Sequence, residues 1–516
     1  SDLTVPSIAT ENPMTPKRLV VPMIVGCLAL CSFSPLVAQD IEERVVEHTL
    51  ENGMKLLLMR RAQSPTVALD IWVKAGGVDE PVNKTGIAHM LEHMLFKGTT
   101  TIGTTDYAAE VPLMEQLDEL YEEHDALRDA GDDGDAARLE AVTAEIEAVK
   151  EEQKQHIVSN QISELYSYHG ETGLNAGTGR DMTMYTIQLP SNKIELWMRV
   201  EAERMRDPVF REFYTERDVV MSERRQVIES SPGRLLNESF YAAAFVAHPY
   251  GRPIIGWMSD LNRLRRKEAE AFFRTYYAPN NSIVSMVGDI DIEWAIERMT
   301  HYFSDIPRQQ IPERVGTREP EQRGERRVTV EFDAEPQLRI GYHKPTLPSR
   351  DDFVFDMIDG VLTDGRTSRL YRALVEEQQI AVSVSSGNGA PGGRYDNLFV
   401  VSATPRHPHT PEEVEAAIYA ELERLKVEPP TERELQKVRN QNQAAFIRGL
   451  DSNSGMSSQL GYFELIAGSW RYVLTAMETM NSITAEDVQA AATKYLIPQN
   501  RTVATLVKPA AEEAAE

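Results

Sequence analysis

A chain of 516 residues with 41% hydrophobic and 26% charged side chains exceeds what one hydrophobic core supports, so two or more domains are expected. The formal net charge of −26 excludes nucleic acid as a partner, because a polyanion would be repelled. About half of the excess is local: from Asp106 to Glu164 there are 18 acidic residues and 4 basic ones, so acidity says little about an active site.

Residues 1–38 are read as a signal-peptide region, in which the secretory pattern starts at Met14 and the residues before it do not fit. A basic start at Lys17-Arg18 precedes an apolar run from Leu19, and a small residue, Ala38, closes it. The run is broken by Pro22 and Pro35 and is too short for a membrane span. The only cysteines, Cys27 and Cys31, lie inside it, and Ile24-Val25-Gly26-Cys27 also has the form of a lipoprotein cleavage site. The expectation is an exported chain, periplasmic or envelope-associated, soluble or lipid-anchored on Cys27.

Asn52-Gly53 marks a turn before a predicted strand at Met54–Arg60, and Val67–Lys74 is the next. Gly86–Phe96 has helical periodicity. In the acidic stretch, Leu117, Leu120 and Leu127, then Leu139, Val142, Ile146 and Val149, recur at helical spacing on either side of Gly131-Asp132-Asp133-Gly134-Asp135. This predicts an inserted helical hairpin over about 106–165, its charge a solvated face. Replacing Gln116–Gln153 by a short loop is then expected to leave the fold intact.

Strand character returns over Asn175–Leu189. Helices follow at Glu195–Arg206, Glu216–Ile228 and Arg263–Tyr276, then a strand at Ser282–Val287 and a helix at Glu293–Tyr302. A polar linker covers 307–326. Strands are predicted again at Arg327–Phe332, Leu338–Tyr342, Ala381–Ser386 and Leu398–Ala403, before a mostly helical C-terminal third. Tyr276-Tyr277-Ala278-Pro279-Asn280-Asn281 and Tyr495-Leu496-Ile497-Pro498-Gln499-Asn500 each precede a strand. The fold class is therefore α+β, with two homologous mixed α/β domains at 39–306 and 327–509 and a disordered tail at 510–516.

The chemistry is concentrated in Gly86-Ile87-Ala88-His89-Met90-Leu91-Glu92-His93-Met94-Leu95-Phe96. His89 and His93 stand on one helical face at a spacing that grips one Zn²⁺, and Glu92 projects beside them, placed to take a proton from water. Catalytic zinc takes three protein ligands. Glu216 and Glu223, two helical turns apart, are carboxylate candidates for the remaining place.

The segment Gly86–Thr99 resembles the zinc helix of the pitrilysin/insulinase family, which includes the mitochondrial processing peptidase and exported two-domain bacterial members. The resemblance implies His89, His93 and Glu223 as ligands of one Zn²⁺ per chain. It implies Glu92 and Glu216 as catalytic residues, Glu92 the general base and Glu216 a support. It also implies a substrate-binding edge strand at Asn175, Ala176 and Thr178, and a second domain that begins a helix near Gly365-Arg366-Thr367-Ser368-Arg369-Leu370 and holds no metal. The implied activity is a zinc metalloendopeptidase acting on peptides or unfolded segments in a closed chamber. One chain supplies half of that chamber, so a dimer is expected, with itself or with a non-catalytic homologous subunit. The family's substrate-holding Arg and Tyr find no place in Leu398–Arg406. Two alternatives stand beside this reading: a non-catalytic structural subunit of the same fold, and an exported peptide-binding protein.

Overall fold

The computed structural model describes residues 41–509; the signal-peptide pattern with Cys27, and the tail 510–516, lie outside the described residues. The first half is built on a six-stranded sheet. Its strands are β1 (Val45–Thr49), β2 (Lys55–Arg60), β3 (Thr66–Val73), β4 (Thr172–Thr178), β5 (Thr183–Pro190) and β6 (Ser282–Gly288), in the order β1-β2-β6-β3-β5-β4. The runs Leu-Leu-Leu-Met and Ile-Val-Ser-Met-Val place β2 and β6 at the buried centre, where they pair in parallel. The turn after β1 uses Gly53 at φ 92°, and the Asn52 amide fastens it to the Phe303 and Ile306 carbonyls. β1 itself has no sequence signal beyond two valines before Glu-His-Thr, and was not predicted. The predicted strand region Asn175–Leu189 divides into β4 and β5, antiparallel about the turn at Gly179–Met182.

Helices of the first half are α1 (Ile87–Met94), α2 (Tyr107–Asp129), α3 (Ala136–Lys154), α4 (Gln161–Tyr168), α5 (Ile194–Arg206), α6 (Phe213–Arg224), α7 (Pro232–Ala244), α8 (Met258–Leu261), α9 (Arg266–Tyr276) and α10 (Ile292–Phe303). The predicted hairpin is α2–α3. Asp106 and Asp135 cap its two helices by accepting from Ala109 and Arg138 backbone N–H groups. Leu113, Leu117, Leu120 and Tyr121 bury against Val142, Ile146 and Val149 within the main core of this half. The expectation that its charge is only a solvated face is corrected here. Glu110, Asp118 and Asp125 are buried and ion-paired to Arg211, Arg266 and Arg265 of the surrounding domain.

The second half repeats the plan. β7 (Arg326–Glu331), β8 (Gln337–Lys344), β9 (Ala381–Ala390), β10 (Asn397–Pro405) and β11 (Arg501–Val507) run in the order β7-β11-β8-β10-β9. That matches β2-β6-β3-β5-β4 strand for strand, including one parallel pair, β7 with β11. The two sequence echoes are one device used twice. Asn281 and Asn500 each donate from Nδ2 to the carbonyl five residues back, Tyr276 and Tyr495, both at 2.9 Å. The helices here are α11 (Arg350–Thr363), α12 (Pro411–Val427), α13 (Glu432–Asp451), α14 (Asn453–Ile466), α15 (Tyr472–Asn481) and α16 (Ala485–Tyr495). After Gly365 (φ 73°), Arg369 ties to Glu434 and the Glu428 carbonyl, and a π-helical turn over Tyr371–Glu377 follows rather than a regular helix.

The halves exchange helices. α7 of the first half packs on β7, β8 and β11, and α14 of the second packs on β3 and β6. Each contact is close enough to require a glycine. A Cβ on Gly341 would lie 2.5 Å from the Phe240 ring of α7, and one on Gly461 of α14 would lie 2.1 Å from Trp72 Nε1 of β3. Two apolar clusters, one around Trp72, Leu460 and Trp470 and one around Phe240, Leu398 and Leu506, seal these contacts. A further tie joins the β4–β5 turn to the second half: Asp181 accepts from the Tyr250 hydroxyl, Gly393 N and Arg394 N. Residues 307–325 carry no helix or strand, and Glu319 pins them by accepting from Val246, Ala247 and His248 N–H groups. No helix among the described residues is long and apolar enough to cross a membrane.

Candidate active site

α1 starts at Gly86, whose φ of 90° and whose contact with the Ile255 carbonyl (2.5 Å from a Cβ built there) leave room only for glycine. It has no side-chain cap of its own. Buried Glu80 serves instead, accepting from Gly86 N and Ala88 N at 3.0 Å. Ile87, Ala88, Met90, Leu91 and Met94 face the core, which leaves His89, Glu92 and His93 on the opposite face. Arg204 closes the C-terminal end by donating to the Leu95 carbonyl at 2.9 Å.

α6 lies against α1. Phe213, Tyr214, Arg217, Val220, Met221 and Arg224 are its buried side, and Glu216 and Glu223 project from another. His89 Nε2 is 4.0 Å and His93 Nε2 is 3.6 Å from Glu223 Oε2, and one ligand atom from each of the three residues falls within 4.8 Å of the others. Among the described residues no other group of three or more His, Cys, Asp or Glu meets that condition. Glu216 Oε1 sits 2.8 Å from His93 Nδ1. The structure thus brings together all five residues singled out on the two helices.

The electrostatics suit a cation. Burial, with the neighbouring His93, pushes the His89 imidazole down to about 4, so it is neutral and offers a lone pair. Burial also works against charge on His93, but Glu216, Glu223 and Glu92 outweigh it and raise its pKa. Glu216 is held down at about 2 despite burial, by His93 and Lys97. Burial raises Glu92, and the Thr178 hydroxyl, donating to Glu92 Oε2 at 2.6 Å, opposes the rise. Two imidazoles and a carboxylate fit the three-ligand set of catalytic zinc. Bonds of about 2.0–2.1 Å in a tetrahedron would place donors about 3.4 Å apart, somewhat closer together than the 3.6 and 4.0 Å between the imidazoles and Glu223.

β4 is the outer strand of its sheet, paired only with β5. Leu174 and Ala176 pack on the core, and Thr178, on the same face, reaches Glu92. Asn175 is exposed on the other face. The sequence reading placed Thr178 with substrate and missed its hold on Glu92. It also missed Lys97, whose Nζ lies 2.7 Å from Glu216 Oε2. The signal was present, since Lys97 follows Phe96 directly, but only the fold shows what it touches.

Comparison with known proteins agrees with this arrangement. The model of the insulinase family (peptidase family M16) matches residues 55–115 and 152–257, leaving most of α2–α3 unmatched, and the M16 inactive-domain model matches 263–442. The zinc protease PqqE of Helicobacter pylori is 27% identical over 417 residues, spanning 79% of this chain and 81% of that protein. An uncharacterized zinc protease of Mycobacterium leprae is 24% identical over 473 residues, 88% and 89% of the two chains. Among solved structures, a protease from Helicobacter pylori superposes with a TM-score of 0.75 at 24% identity, covering 90% of this chain and 99% of that one. A peptidase M16 inactive domain from Pseudomonas fluorescens gives 0.71 at 17% identity, covering 92% and 100%. Matching family models on both halves, zinc proteases among the relatives and a two-sheet fold shared with solved peptidases lead to one assignment: the chain belongs to the insulinase, or M16, peptidase family.

Proposed function

We propose that the chain is a zinc metalloendopeptidase that cuts peptides or unfolded protein segments. The observation that carries this is the convergence of His89, His93 and Glu223, with Glu92 beside them and Glu216 on the far nitrogen of His93. Zinc, when bound, polarises the scissile carbonyl and lowers the pKa of water. The remaining work belongs to the chain. Glu216 fixes the His93 tautomer by accepting from Nδ1–H, which leaves the Nε2 lone pair free to ligate a metal. Thr178 fixes the Glu92 carboxylate, which takes a proton from the attacking water and returns it to the leaving amine. The free edge of β4 takes the peptide as an added strand, so main-chain hydrogen bonds supply affinity with little demand on sequence.

A half-chamber needs closing, and we place a second subunit over it, identical or non-catalytic; export to the cell envelope completes the proposal. The test is zinc content together with cleavage of a mixed peptide library by the purified protein. Zinc bound through His89 and His93, with cleavage abolished by Glu92→Gln, supports the reading. Absence of both zinc and cleavage sinks it in favour of a structural subunit.

A further inference from the structure

Glu216 and Glu223 face the site only while α6 keeps one rotation about its axis. A slip of one residue turns a helix by about 100° and would swing both carboxylates away. The restraint at the C-terminal end is Arg224, bound to Glu238 at 2.9 and 3.0 Å and to the Gly256 carbonyl at 2.8 Å. The restraint in the middle comes from α2–α3. Tyr121 of α2 stacks on Tyr214 of α6 with ring centroids 3.9 Å apart. The Arg217 guanidinium lies over both rings, 5.0 Å from Tyr121 and 5.2 Å from Tyr214. Asp125 faces it at 3.6 Å, and the Leu264 carbonyl accepts from it at 3.2 Å. Asp118 accepts from the Tyr214 hydroxyl at 2.9 Å and binds Arg266 at the start of α9. Arg217 is adjacent in sequence to Glu216 and only 3% exposed, so its position sets that of Glu216.

We propose that the hairpin α2–α3 is a positioning element of the metal site: Asp118, Tyr121 and Asp125 grip Tyr214 and Arg217 and so fix the helix that presents Glu216 and Glu223. All three gripping residues lie in the segment that the family model leaves unmatched, so the restraint is an addition made to the family frame. The idea rests on the zinc reading above.

The test compares Asp125→Asn and Tyr121→Leu with a control, Glu123→Gln, which breaks only the half-exposed pair with Arg138. Zinc affinity is measured by competition with a chromophoric chelator, and amide hydrogen exchange of Phe213–Arg224 is followed in the metal-free proteins. The expected result is a loss of about tenfold in zinc affinity and faster exchange across α6 for the first two variants, with the control at wild-type values. Folded variants that bind zinc within twofold of wild type would overturn the proposal, as would an equal loss in Glu123→Gln. If Asp125→Asn fails to fold, Tyr121→Leu decides, because it leaves every charge paired. Should His89→Ala bind zinc as tightly as wild type, the zinc reading fails. The exchange of α6 in the metal-free variants then judges the positioning role alone.

Discussion

At the residue scale, Glu92 and the two layers behind His93 carry the clearest consequences. Glu92→Gln is nearly isosteric and cannot accept a proton, so turnover is expected to fall by about 10² to 10⁴ while zinc analysis finds a full site. Glu223→Gln is expected to lower zinc occupancy more than Glu216→Gln, because Glu223 faces both imidazoles and Glu216 acts through His93 Nδ1. Lys97→Met removes the cation that holds Glu216 and is expected to weaken zinc less than either; metal titration of the three variants checks the order. A loss in Lys97→Met larger than in Glu223→Gln would contradict it. The face of α1 was legible in the sequence because a four-residue spacing on a helix has one geometric meaning; the seven-residue spacing of Glu216 and Glu223 only offered candidates, and the resemblance to the family gave them their places. The grip of Thr178 on Glu92, and of Lys97 on Glu216, was not. Each depends on how a separate strand or helix approaches α1, and periodicity carries no record of that.

At the element scale the hairpin is the instructive case. Its two helices and the break between them could be read from the leucine and valine spacing and from Gly131 to Asp135. The fate of its acids could not, since Asp118 and Asp125 find their partners at Arg266 and Arg265, far along the chain. The consequence for engineering reverses the sequence-based expectation. Replacing Gln116–Gln153 by a short loop removes Asp118, Tyr121 and Asp125 and strands Arg217 without its carboxylate. Breaking a buried pair from one side costs about 3–5 kcal/mol, so a lower unfolding midpoint in urea is expected. A midpoint equal to that of wild type would show that α2–α3 is dispensable to the fold. Glu110, fully buried with Arg211 at 3.0 Å, falls outside that deletion and tests the same physics alone. Glu110→Gln is expected to destabilise by a similar amount, because Arg211 also organises the Lys97, Thr99 and Ile102 carbonyls behind α1.

At the scale of the whole molecule, the described residues hold one candidate metal site, and on the proposal that the chain forms half of a chamber the active species is expected to be a dimer. Sedimentation at assay concentration is the check, and full activity from a monomer would refute it. The duplication itself was legible, from two junctions that end helices at Tyr276 and Tyr495 and restart strands three residues after a proline. What stayed hidden is that α7 and α14 each cover the other half's sheet. An amphipathic pattern tells which face of a helix is buried and nothing about which sheet buries it. That exchange makes covalent continuity between the halves dispensable. A protease that nicks the exposed stretch between Arg308 and Arg318 should yield two fragments on a denaturing gel that still elute together as one particle. Each fragment alone would leave a sheet face bare, so separately expressed halves should aggregate, whereas halves synthesised together should assemble as a two-chain version of the same protein.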